Sequence, residues 1–82
     1  MKGVKIMKEM IIKLSSINDV KDFVNLAVAC PCEIYLISGR YIVDGKSIMG
    51  VFSLDLSNNI RIEVQGEKAE EYIERFRRFE VQ

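Results

Sequence analysis

Residues 32–45 read CEIYLISGRYIVDG, and residues 46–54, KSIMGVFSL, follow at once. Ile34 and Leu36 alternate with Tyr35 and Ile37, the period of a strand with one buried face. Ser38-Gly39-Arg40 supplies the glycine of a tight turn, and Tyr41, Ile42 and Val43 resume β-type residues. Asp44-Gly45 closes the second strand. The stretch is therefore a hairpin that runs into a helix of about two turns. Ser47 can cap that helix, because its hydroxyl accepts a bond from an orphan amide of the first turn. Gly50 costs about 1 kcal/mol against alanine inside a helix, so it points to close approach of another backbone or of a partner. Val51 and Leu54 can face the core. Ile48, Met49 and Phe52 fall along one edge, and so short a helix cannot bury all five. The apolar surface left exposed reads as a contact site.

Working outward, MIIKLSS (10–16) is short and isoleucine-rich and reads as a strand. In SINDVKDFVNLAVA, Val20, Phe23, Val24 and Ala27 form an amphipathic stripe. Ser16 and Asp19 make an S-x-x-D start signal, with Asn18 as a competing cap. Pro31 cannot continue the helix. DLSNN reads as a loop, and IRIEVQG (60–66) alternates as a half-exposed strand. EKAEEYIERFRRFEV is helical, with Ala69, Tyr72, Ile73 and Phe76 on one face. Its glutamates precede its arginines, which suits the helix dipole and predicts i,i+4 pairs Glu71–Arg75 and Glu74–Arg78. The order is β-α-β-β-α-β-α, an α+β two-layer domain with helices over one face of an antiparallel sheet. Residues 1–9 read as a loose N-terminal extension and 10–82 as the domain.

Eighty-two residues, 49% of them hydrophobic, support one small core. Twelve basic and twelve acidic residues cancel, which disfavours direct nucleic-acid binding. No apolar run reaches the roughly 20 residues of a membrane-spanning helix, and the start lacks a signal-peptide core. A soluble, cytoplasmic protein without membrane contact is expected. Cys30 and Cys32 flank Pro31. With no histidine and no second cysteine pair, they cannot build a four-ligand metal site. They read as small residues at a helix-to-strand junction. The missing histidine also removes the commonest general base, and the chain has no phosphate-cradling glycine loop. No catalytic site, cofactor or metal is expected. Ser47, at a helix start, is also suited to phosphorylation, although the residues alone favour a helix that is simply core with Ser47 simply its cap.

The hairpin with KSIMG, over residues 33–56, resembles the HPr family, the small phosphocarrier proteins of the bacterial sugar phosphotransferase system. The order of elements extends the likeness over residues 10–80. The resemblance implies an open-faced β-sandwich, a four-stranded antiparallel sheet with three helices on one face. Family members carry phosphate on a histidine at the mouth of the first helix, in a His-x-Arg-Pro context. Counting back from the hairpin places Ser16 near that position and Asn18 near the arginine. A phosphoserine ester is a poor phosphoryl donor beside a phosphoimidazole. The family's second site is intact, and Ser47 matches the serine that a dedicated HPr kinase/phosphorylase modifies in many Gram-positive bacteria. Lys46, Ile48, Met49 and Phe52 match the partner-contact residues around it. The resemblance thus implies a catabolite-repression-HPr-like regulatory protein. Its partners would be the serine kinase and a transcriptional regulator or another phosphotransferase-system protein. Two alternatives stand beside it: a phosphocarrier using another residue, and a degenerate HPr fold serving only protein–protein contact.

Overall fold

The computed structural model describes residues 6–81. Its elements are β1 (Met7–Ile12), α1 (Ile17–Val28), β2 (Glu33–Ser38), β3 (Tyr41–Asp44), α2 (Ile48–Phe52), β4 (Ile60–Gln65) and α3 (Ala69–Ile73). A 3₁₀ segment, Glu74–Phe79, continues α3. The strands form one antiparallel sheet in the order β1-β4-β2-β3, with the helices on one face. This is the open-faced β-sandwich of the HPr type.

The hairpin forms as its residues dictate. Ser38 pairs with Tyr41, leaving Gly39 and Arg40 as a two-residue loop. Gly39 has φ +60°, and no non-glycine residue in the described chain has positive φ. Positive φ at the first loop position only is the pattern of a type II′ turn, whose twist matches the strands. β4 lies between β1 and β2, which are thereby parallel to each other. Parallel strands need a crossover, and α1 supplies it.

The inner face of the sheet carries Met10, Ile12, Ile34, Leu36, Ile60, Ile62 and Val64, all buried. Against them pack Val20, Phe23, Val24 and Ala27 of α1, Val51 of α2, and Ala69, Ile73, Phe76 and Phe79 of the C-terminal helical stretch. Phe23 sits between the last two aromatics, its ring centroid 5.1 Å from Phe76 and 6.0 Å from Phe79. Among the described residues no charged or polar residue is buried.

Three expectations are corrected. First, the strand expected from residue 10 starts at Met7, because each residue of β4 from Ile60 to Gln65 takes a partner from β1. Residues 7–9 of the expected extension are thus sheet, and residues 1–5 lie outside the described residues. Second, the strand ends at Ile12 instead of Ser16. Beyond it Lys13 N–H bonds to Phe79 O (2.9 Å), and Val81 N–H bonds to Ile11 O (2.9 Å), so the C-terminal segment covers part of the β1 edge. Third, the last helix is not α throughout. In its 3₁₀ part the ion pairs run i to i+3. Arg77 binds Glu74 (2.8 Å) and Glu80 (3.0 Å), and Arg78 reaches across to Asp22 (3.3 Å). The expected pairs Glu71–Arg75 and Glu74–Arg78 are not formed, since a pitch of three residues per turn moves those partners off a common face.

Candidate functional site

Two helix starts, those of α1 and α2, are each capped by a serine. At α2, the chain leaves β3 through a tight turn. Asp44 Oδ1 accepts the Lys46 N–H (2.9 Å), and Ser47 N–H bonds to Asp44 O (3.1 Å). Gly45 crosses over β2, with its N–H 2.8 Å from Ile34 O. The Ser47 hydroxyl accepts the Gly50 N–H at 3.2 Å, as its position before the apolar run predicts. At the other end Ser53 Oγ donates to Gly50 O (2.6 Å).

The five apolar residues of this stretch divide as the helix geometry requires. Val51 and Leu54 are buried. Met49 is 76% exposed, Phe52 40% and Ile48 37%. Together with the exposed Ser47 they form one surface. The close approach signalled by Gly50 is to side chains, not to a backbone. A Cβ there would lie 3.3 Å from Ser47 Oγ and 3.4 Å from Val43 Cβ. The glycine lets α2 rest on β3 while the cap hydroxyl folds back onto the helix. Lys46 is half-buried, and its ammonium donates to Cys30 O (3.0 Å), tying this turn to the α1–β2 loop. That bond spans 16 residues of sequence and has no local signal.

At α1, Ser16 Oγ accepts the Asp19 N–H (3.1 Å), and Asp19 Oδ2 in turn accepts the Ser15 N–H (2.9 Å). The chain's own carboxylate therefore fills the positive end of this helix. Asn18, the competing cap, lies inside α1 and is exposed. Beside Ser16 runs an open cleft of about 440 Å³, with Lys13, Ile17, Phe52 and Ser57 among its lining residues. Lys13 Nζ is held by Ser57 O at 2.8 Å. Ile17, 63% exposed, stands across the cleft from Phe52 and extends the apolar surface of α2. Sequence reasoning missed it, because an isoleucine three residues before Val20 looks like one more member of the buried stripe.

Cys30 and Cys32 are buried and not bridged to each other. Cys30 Sγ donates to Leu26 O (3.4 Å), and Cys32 packs where Gly66, at φ +147°, leaves room for it. Burial, and after it the neighbouring Cys32, push the Cys30 thiol above its ordinary pKa. Among the described residues no group of three or more potential metal ligands converges, and no helix is long and apolar enough to cross a membrane.

The family model described as the PTS HPr component phosphorylation site matches residues 18–80. The chain belongs to the HPr family. Members of this family are small phosphocarrier and regulatory proteins, not enzymes. Solved HPr structures agree in fold. The phosphocarrier protein HPr of Bacillus anthracis str. Ames is 24% identical, with a TM-score of 0.74 over 96% of this chain and 100% of that one. HPr-C-His of Thermoanaerobacter tengcongensis is 27% identical, with a TM-score of 0.68 over 88% of this chain and 84% of that one. A histidine-containing phosphocarrier protein of Mycoplasma is 20% identical, with a TM-score of 0.71 over 89% of each chain. No curated protein sequence matches. The HPr family model begins its match two residues after Ser16, and the chain holds no histidine.

Proposed function

We propose that this HPr-family chain is a cytoplasmic regulatory protein-binding module switched by phosphorylation of Ser47, of the catabolite-repression-HPr kind, and not a histidine phosphocarrier. The observation that carries the reading is the contrast between the two capped helix starts. Ser16 shares its helix mouth with the Asp19 carboxylate, which accepts the Ser15 N–H and repels a phosphoryl group placed beside it. Ser47 is exposed, and the first turn of α2 carries no acidic residue. A phosphate on its Oγ meets free first-turn amides and the positive helix end.

The modification forms an O–P bond between Ser47 Oγ and the γ-phosphoryl group of ATP, with loss of the serine proton and release of ADP. It places a doubly charged group beside the exposed Ile48, Met49 and Phe52. A partner then reads apolar contact and charge together, which is how a small surface becomes a conditional one. Lys46 sets the turn through its bond to Cys30 O. The partners proposed are an HPr-type serine kinase/phosphorylase and a transcriptional regulator or phosphotransferase-system protein of carbon catabolite control.

The test is incubation with an HPr-type serine kinase and ATP, followed by peptide mass mapping. Gain of one phosphoryl group on Ser47, absent in Ser47→Ala, is the expected result. An unmodified protein overturns the reading. Acid-labile label acquired from phosphoenolpyruvate and the first enzyme of the phosphotransferase system would overturn it in favour of a carrier.

A further inference from the structure

The helices cover one side of the sheet only. On the bare side the register sets Glu9 (β1), Glu63 (β4), Tyr35 (β2) and Asp44 (β3) side by side across all four strands. The next row runs Ile11, Arg61, Ile37, Ile42. Glu33 adds a fourth carboxylate beside Tyr35, whose hydroxyl donates to it at 3.3 Å. Its charge is the main cause of the raised Tyr35 pKa. Among the described residues, one guanidinium stands against these four carboxylates, Arg61, 3.6 Å from Glu9 and 3.5 Å from Glu63, and Lys46 borders Glu33 and Asp44 at the edge with its ammonium given to Cys30 O. In a chain whose formal charges cancel, the described residues of this face thus carry an acidic excess. Its apolar row is also open, with Ile42 67% and Ile11 45% exposed. Glu9 and Glu63 are directly opposed across the strands, and Arg61 bridges the two.

We propose that this sheet face is a second docking surface, and that its occupant is a basic segment of a partner protein, with Lys or Arg side chains over the carboxylate row and apolar side chains over the isoleucine row. Charge complementarity selects that occupant. Nucleic acid and anionic membrane carry the wrong sign, and a second copy packed face to face would oppose two acidic rows. The face lies on the opposite side of the sheet from Ser47 and α2, so both surfaces can be engaged at once. The proposal does not depend on phosphorylation of Ser47.

The experiment titrates the ¹⁵N-labelled protein with a synthetic peptide of alternating Arg and Ile, and with the same peptide carrying Glu in place of Arg. Amide shifts confined to β1, β4, β2 and β3, from the Arg peptide alone, are expected. Affinity should fall at least tenfold in Glu9→Gln/Glu63→Gln, an isosteric variant whose fold is checked by its own amide spectrum. It should not change in Glu70→Gln/Glu71→Gln, which removes equal charge from α3. Equal weakening in both variants, shifts centred on the helical side, or no binding overturns the proposal. So does sedimentation showing a sheet-to-sheet dimer that Arg61→Glu dissolves.

Discussion

Gly45 sits where no side chain fits. A Cβ there would stand 2.6 Å from Ile34 Cγ2, and Ile34 is a buried residue of β2 that cannot move aside. Gly45→Ala should therefore cost about 1–3 kcal/mol, the usual range for overpacking, measured as a lower urea midpoint. Ser47→Ala removes one cap bond at an exposed position and should cost about 1 kcal/mol while leaving the fold intact. The two substitutions lie two residues apart and separate a packing constraint from a capping one. Cys30 gives a third residue-scale prediction. Its pKa is raised by burial, so the folded state favours the protonated thiol. Stability from this source is complete below the ordinary value of 9.0 and is lost as pH rises above it. The native protein should react slowly with Ellman's reagent at pH 8. Cys30→Ala should flatten the alkaline fall in stability.

The C-terminal helical stretch shows what an element's sequence reveals and what it hides. Ala69, Tyr72, Ile73 and Phe76 fit an α-helical stripe, and a helix was legible from them. Ile73, Phe76 and Phe79 are spaced by three, and all are buried. A 3₁₀ pitch keeps Phe76 and Phe79 on one line against Phe23, which accounts for a run of 3₁₀ longer than usual. Pitch is thus set by tertiary packing that local periodicity does not contain. The hairpin was legible to the residue, because its turn glycine and alternating apolar residues are local. The start of β1 was not, because Met7-Lys8-Glu9 has weak β character and is held by pairing with β4. At the site, exposed Ile48, Met49 and Phe52 followed from helix length alone, whereas Ile17 and the Lys46–Cys30 bond depend on how α1 and β2 meet. Burial predicts the energetics of the two apolar groups. Phe76→Ala opens a cavity in the aromatic cluster and should cost about 3–5 kcal/mol. Phe52→Ala, at a largely open position, should cost under about 1 kcal/mol by the same urea unfolding measurement.

The described chain has one apolar core and no buried charged side chain, so it should unfold as a single cooperative unit, and acid acts on it from the surface. Two carboxyls are held below their ordinary pKa. Glu74 is lowered chiefly by its bonds to Arg77, and Asp55 by those from the Ser57 hydroxyl and amide. A lowered pKa means that the folded state holds the proton less tightly than the unfolded chain. The stability that follows is present above the ordinary values of 4.5 for Glu74 and 3.8 for Asp55. It is lost as pH falls through the folded-state values. Both groups are exposed, so salt should weaken the Glu74 contribution, while the hydroxyl and amide bonds to Asp55 should resist it. Urea midpoints measured from pH 7 down to pH 3 should fall with a shallower slope in Glu74→Gln than in the parent. In 0.5 M salt the two slopes should converge. An unchanged slope in Glu74→Gln would place the acid sensitivity elsewhere.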